Sequence, residues 1–194
     1  MKNICIFGAS RHCIAEKYFE SAHRMGVLLG ENGMDMVFGG GDHGLMGAAA
    51  RGVREAGGRI VGVIPEKLNQ PGIAFSECDE LIVTPTMHTR KAAMEDMSDG
   101  FIGLPGGFGT VEEIMEVITL KQLGYLDAPI VLLNQDGFFG PLLAQFTLCM
   151  EESFADRAYS HMYAAVATPE EAMAYLLAYT PAALPDKIKD VLQR

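Results

Sequence analysis

The sequence predicts a doubly wound parallel α/β sheet of about seven strands with helices on both faces. Three observations carry this. Short β-branched runs alternate with helical stretches of about 10–20 residues, a rhythm that returns every strand in the same direction. The runs are apolar throughout rather than alternating, as strands covered on both faces must be. Glycine-rich turns follow the first, second and fifth runs, at the carboxyl ends of strands where open sheets of this kind hold ligands.

The elements follow in order. Ile4–Phe7 is a first strand running into Gly8-Ala9-Ser10, and a helical pattern covers about Ala15–Glu31. Met34–Phe38 is a second strand, followed by Gly39-Gly-Gly-Asp-His-Gly44 and a helix through about Glu55. Arg59–Ile64 is a third, ending at Pro65, and Glu66–Cys78 reads as a loop with Pro71 and Gly72 inside it. Glu80–Thr84 is a fourth, with a helix over about Thr86–Met97. Gly100–Leu104 is a fifth, leading into a Pro-Gly-Gly loop and a helix from Thr110 to about Leu123. Ile130–Leu133 and Ala164–Ala167 complete the strands, with helices over about Pro141–Glu152 and Pro169–Tyr179. Pro185–Arg194 reads as a short helix or frayed tail. The fourth and fifth strands, being consecutive, are expected to be neighbours.

With 194 residues and 49% hydrophobic content, the chain is expected to form one domain, residues 1–194, around its own core. No run of 18 apolar residues exists, so no membrane span is expected. Met1-Lys-Asn-Ile-Cys-Ile-Phe-Gly8 reads as a strand rather than a signal peptide, which makes a cytoplasmic address the expectation. Cys5, Cys13, Cys78 and Cys149 have neither metal-ligand nor redox spacing and read as small residues in a reducing compartment. The five histidines form no HxxH or HExxH pattern, so no metal is expected. A net charge of -10 without a Lys/Arg-rich stripe excludes nucleic acid as a partner. A small anionic ligand remains compatible, provided that backbone donors and a few placed cations meet it.

Gly39–Gly44 contains GxGxxG, a weak signal in a chain with 22 glycines. It follows the second strand, and the only acidic residue near the spacing of a dinucleotide site is Glu66, in a loop past Pro65. Leu104-Pro-Gly-Gly-Phe-Gly-Thr110 is more specific. Glycines let successive N–H groups turn toward one point, the helix that starts here adds unpaired amides and its positive dipole end, and Thr110 adds a hydroxyl. That is a phosphate cradle without lysine. A tight strand-to-helix turn with an ordinary cap is the other reading.

Glu113 also has two readings. Thr110-Val-Glu-Glu113 fits a capping box, in which the carboxylate only bonds back to the helix start. Alternatively, a carboxylate within one turn of a bound phosphate ester can move a proton or bind sugar hydroxyls. Arg90 and Lys91 are either a solvated helix face or, if the fourth and fifth strands are adjacent, within reach of Glu113. The helix Val111–Leu123 carries apolar residues on more than one stripe, so one face covers the sheet and another meets either more core or a partner subunit.

These residues resemble the Lonely Guy family, the cytokinin riboside 5'-monophosphate phosphoribohydrolases, which are often labelled lysine decarboxylases. Pro105-Gly-Gly-Phe-Gly-Thr-Val-Glu-Glu113 matches the family's PGGxGTxxE, and Arg90-Lys-Ala-Ala-Met94 its upstream RKxxM. Gly39–Gly47, Phe7–Ser10, Leu120–Gly124 and Leu133–Gly137 are similar to further family segments, in the same order. Thr89 stands where the family has an acidic or amide residue, and Glu66–Cys78 does not align.

The resemblance implies a Rossmann-like homodimer that hydrolyses the N-glycosidic bond of nucleoside 5'-monophosphates without metal or cofactor. It implies Arg90 and Glu113 as the catalytic pair, and Gly106, Gly107, Gly109 and Thr110 as phosphate ligands. Lys91 and Met94 would line the base or ribose region, and Phe108, Glu112, Ser10 and Gly41, all inside matched motifs, complete the substrate-binding set. A non-catalytic nucleotide or cofactor-phosphate binder on the same fold is the alternative. Decarboxylation would need a pyridoxal-anchoring lysine, and no lysine has a recognisable context for one.

Overall fold

The computed structural model describes residues 1–181 and 185; the expected terminal helix or tail, Pro185–Arg194, lies outside the described residues but for Pro185. The strands are β1 (Asn3–Phe7), β2 (Asp35–Phe38), β3 (Ile60–Pro65), β4 (Glu80–Thr84), β5 (Gly100–Gly103), β6 (Ile130–Leu133) and β7 (Ala164–Val166). Between and after them run α1 (Glu16–Glu31), α2 (Gly44–Glu55), α3 (Met87–Asp96), α4 (Phe108–Gln122), α5 (Gly140–Glu151) and α6 (Pro169–Ala178). Among the described residues every expected strand and helix is present, with ends within about two residues of expectation.

All strands pair in parallel in one sheet of order β4-β3-β2-β1-β5-β6-β7. Side chains alternate across it as the strand period demands. Ile4, Ile6, Met36 and Phe38 point into one core with α1, α2 and α6. Cys5, Phe7, Val37 and Phe101 point into the other, where Met94 of α3 and Ile114, Val117 and Ile118 of α4 pack. Both faces are covered, which is why β1, β2, β3, β5 and β6 read as unbroken apolar runs.

The expected adjacency of the fourth and fifth strands is incorrect. β4 is an edge strand, and β5 lies four positions away, against β1. After three steps outward from β1 the chain turns back and continues on β1's free side. At ~4.8 Å per strand the return is on the order of 19 Å, and α3 makes it beneath the sheet. This reversal creates a switch point between β1 and β5, and in open sheets of this kind a ligand crevice lies at the carboxyl ends of such strands.

Candidate active site

A crevice of about 770 Å³ opens over the carboxyl ends of β1, β2 and β5. The turn after β1 contributes Gly8, Ala9 and Ser10, that after β2 contributes Gly39 and Gly41, and that after β5 contributes Pro105–Thr110 and Glu113. The first and third turns are tied together by the Ala9 amide donating to the Pro105 carbonyl at 3.1 Å.

α4 starts at Phe108, with Gly107 as its N-cap and no side chain closing that end. Starting two residues earlier than the sequence pattern suggests has a consequence. Thr110 is the third helical residue, so it cannot cap, and the capping-box reading of Glu113 fails. The first-turn amides have no helical carbonyl to bond. A methyl group on Gly107 or Gly109 would meet no protein atom within 4 Å, so nothing in the fold's packing requires a missing side chain there. The space they leave faces the crevice, as a backbone anion site needs. Gly106 is different: a Cβ would come within 2.1 Å of the Thr110 hydroxyl, so this glycine seats the buried Thr110 beneath the loop.

Glu113 sits one turn further in and is 8% exposed. Its Oε1 accepts from Arg90 Nη1 at 2.8 Å. Burial pushes its carboxyl above the ordinary glutamate range, while the Arg90 guanidinium pulls in the opposite direction. Arg90, in the first turns of α3, is equally buried. Its Nε donates to the Val63 carbonyl at 3.1 Å and Nη1 also lies 3.3 Å from Met87 Sδ. The guanidinium lies over Gly39, where a Cβ would be 2.0 Å from Nη2. Arg90 therefore reaches Glu113 across the tops of β3 and β2, not through neighbouring strands. Thr89 is the third residue of α3 and forms a capping box with Thr86, with a 3.1 Å bond from the Thr89 amide to the Thr86 hydroxyl.

Arg90, Glu113, Gly106, Gly107, Phe108, Gly109, Thr110, Ser10 and Gly41 thus converge on one crevice. Lys91, Met94 and Glu112 do not line it. Met94 is fully buried in the core beneath the sheet. Lys91 bridges α3 to α4, pairing with Glu112 and, at 2.6 Å, with Glu116. Lys91 and Glu112 flank Arg90 and Glu113 in sequence, but successive helical positions point about 100° apart. Glu95, also near Glu116, is pushed up to about 7, first by burial and then by that like charge.

Sequence reasoning missed several contributors. Gly39 makes room for the guanidinium, and the Val63 carbonyl orients it. Leu68 and Ile73 come from the unaligned loop, which folds over the second glycine turn: the Asp42 amide donates to Ile73 O at 2.9 Å and the Phe75 amide to Gly40 O at 2.8 Å. Tyr18 and Phe138, 6.2 Å apart edge to face, form an apolar flank. The triple glycine was visible in the sequence; no spacing rule tied it to an arginine about 50 positions on.

The family model described as "Possible lysine decarboxylase" matches residues 46–176. A probable cytokinin riboside 5'-monophosphate phosphoribohydrolase of Oryza sativa subsp. japonica is 39% identical over 93% of this chain and 74% of its own length. A cytokinin riboside 5'-monophosphate phosphoribohydrolase of Arabidopsis thaliana is 38% identical over 93% of this chain and 79% of its own. The chain belongs to the Lonely Guy family.

Among solved structures, the molybdenum cofactor carrier protein of Chlamydomonas reinhardtii aligns with a TM-score of 0.69 at 23% identity, covering 100% of this chain and 99% of that one. The molybdenum cofactor binding protein of Rippkaea orientalis gives 0.69 at 21%, over 98% and 97%. At these identities they show the same fold. The decarboxylase wording has no counterpart in this Lonely Guy crevice. Among the described residues no lysine lines it, and a lysine is what a Schiff base with pyridoxal phosphate requires. The buried Lys121 instead donates to Ala128 O at 2.7 Å and to the Tyr179 hydroxyl at 2.9 Å.

Proposed function

We propose that this chain hydrolyses the N-glycosidic bond of a nucleoside or cytokinin riboside 5'-monophosphate, releasing free base and ribose 5-phosphate. The observation that carries the reading is the buried Arg90–Glu113 pair, 2.8 Å apart, beside the bare amino end of α4 in one crevice. Relatives named for this reaction, at 38–39% identity, support it.

In this reading the 5'-phosphate rests on the amides of the first turn of α4 and the Thr110 hydroxyl, which fixes the ribose near Glu113. Cleavage of the C1'–N bond sends its electron pair to the base and builds positive charge on the ribose ring. The Glu113 carboxylate stabilises that charge. Water then bonds to C1'; its proton passes to Glu113 and from there to the nitrogen of the departing base, which leaves neutral and restores the carboxylate. A carboxyl raised by burial accepts a proton more readily near neutrality than an exposed glutamate. Arg90 holds the carboxylate in place. A non-catalytic binder, the other reading, has no use for a buried carboxylate beside an anion site.

Incubation with adenosine monophosphate, other nucleoside monophosphates and isopentenyladenosine monophosphate, followed by chromatography, tests this. Free base and ribose 5-phosphate are expected in equal amounts. Folded protein that releases no base from any of them overturns the reading.

We further propose one domain over residues 1–194, acting in the cytoplasm as a homodimer. One sheet takes up every described strand, and the four cysteines are free. α5 has no buried residue although it carries Leu142, Leu143, Phe146 and Leu148. Between α4 and α5 an apolar groove of about 260 Å³ includes Met115, Ile118 and Phe154, the last 86% exposed. A second copy of the chain covering this face accounts for its composition. The net charge of -10 supports the absence of a nucleic-acid partner, and no helix among the described residues is long and apolar enough to cross a membrane.

A further inference from the structure

The crevice holds two cations, Arg11 and Arg90, and one carboxylate, Glu113, among its lining residues. Arg90 is neutralised by Glu113 at 2.8 Å. Arg11 has no hydrogen bond or ion pair among the described residues, whereas Arg24, Arg51, Arg54 and Arg59 each have an acidic partner. In a chain of net charge -10, an arginine that lines the crevice without a carboxylate is unspent positive charge.

Its backbone is held in place. The preceding turn is clamped from two sides: the Ala9 amide donates to Pro105 O at 3.1 Å, and the Ala9 carbonyl accepts from the Leu45 amide at 2.8 Å. On the other side His12 packs edge-on against His43, ring centroids 5.5 Å apart. Arg11 therefore starts beside the Pro-Gly-Gly loop, with a side chain long enough to swing over it.

We propose that Arg11 is the phosphate-binding cation of this site, closing over the 5'-phosphate held on the amino end of α4. The proposal deepens the phosphoribohydrolase reading and rests on it for the identity of the ester. Backbone amides and a hydroxyl carry no net charge, and a phosphate monoester is close to a dianion. A guanidinium supplies the missing charge and meets two phosphate oxygens at once, which a lysine does not. An exposed side chain also lets product leave.

The test is calorimetric titration of ribose 5-phosphate and of ribose into wild type, Arg11→Gln, Arg11→Lys and Arg157→Gln. Arg157→Gln removes one positive charge outside the crevice. Base release from adenosine monophosphate is measured on the same samples. Arg11→Gln is expected to weaken ribose 5-phosphate binding about 10–100-fold, with the same loss in kcat/KM, which is the range of one charge-assisted contact. Arg11→Lys should recover part of it, Arg157→Gln should match wild type, and melting temperatures should agree because Arg11 has no partner to lose. Unchanged ribose 5-phosphate affinity in Arg11→Gln overturns the role of Arg11 while base release by wild type leaves the hydrolase reading intact. An equal loss in Arg157→Gln also overturns it, reducing the effect to bulk charge. Weakened ester binding in Arg11→Gln with no base release by wild type upholds Arg11 and overturns the hydrolase reading. Wild type that binds no ribose 5-phosphate overturns the proposal.

Discussion

Replacing Glu113 by Gln keeps the shape of the side chain and removes its charge. In the structure this separates two quantities. The first is stability. Arg90 and Glu113 are 7% and 8% exposed, and their 2.8 Å contact is the carboxylate's bond to a buried cation. Breaking a fully buried pair costs about 3–5 kcal/mol. Here the glutamine Oε1 can still accept from Nη1, Arg90 keeps its bond to the Val63 carbonyl, and the crevice admits water. A loss of about 1–3 kcal/mol is therefore expected, the range for weakening one hydrogen bond to a charged group. For a chain of this length that lowers the melting temperature by about 2–12 °C. The variant remains folded at 25 °C. The second quantity is rate. An amide cannot take the proton or match the charge on the ribose ring, so turnover should fall about 10²–10⁴-fold, with a much smaller change in substrate affinity. Base release and ribose 5-phosphate production at 25 °C, with circular dichroism on the same samples, measure both. A folded Glu113→Gln protein that works within threefold of wild type would refute the assignment.

Four further expectations follow from the geometry. Because burial holds the Glu113 carboxyl above its ordinary 4.5, the acid limb of the kcat/KM profile should lie above the normal glutamate range, and Arg90→Gln, which removes the opposing cation, should move it higher still. The linkage has a definite sign: above pH 4.5 the folded chain holds this proton longer than the unfolded chain, so the Glu113 contribution to stability falls as pH rises through that window, and melting scans against pH should lose this slope in Glu113→Gln. Gly107→Ala and Gly109→Ala should leave the melting temperature within about 2 °C, since their methyls meet no protein atom, yet lower kcat/KM on the order of 10²-fold by displacing the phosphate; Gly106→Ala should instead cost about 1–3 kcal/mol against Thr110, and the opposite ranking in melting scans contradicts the argument. Phe154→Glu, which places a charge in the apolar groove beside α5, should convert a dimer to a monomer in light scattering; a monomeric wild type rejects the proposed interface.

The sequence by itself determined the elements and the candidate loop. Burial on both faces leaves a mark in the composition of the five inner strands, and glycines at strand ends mark where backbone meets ligand; both signals are local. The pairing of Arg90 with Glu113 was suggested by family spacing, but the physical reason first given for it, adjacency of the fourth and fifth strands, fails. Only the tertiary structure decided that β4 lies at the edge, that α3 crosses back under the sheet, and that Gly39 and the Val63 carbonyl seat the guanidinium. It also decided that Thr110 lies inside α4 rather than at its cap, and that Lys91, Met94 and Glu112 turn away from the crevice that their neighbours line. The reason is the same in each case. Hydrophobic period reports how a segment is covered. Which strand it lies beside, and which partner a buried polar group finds, depend on contacts many residues apart that no local pattern records.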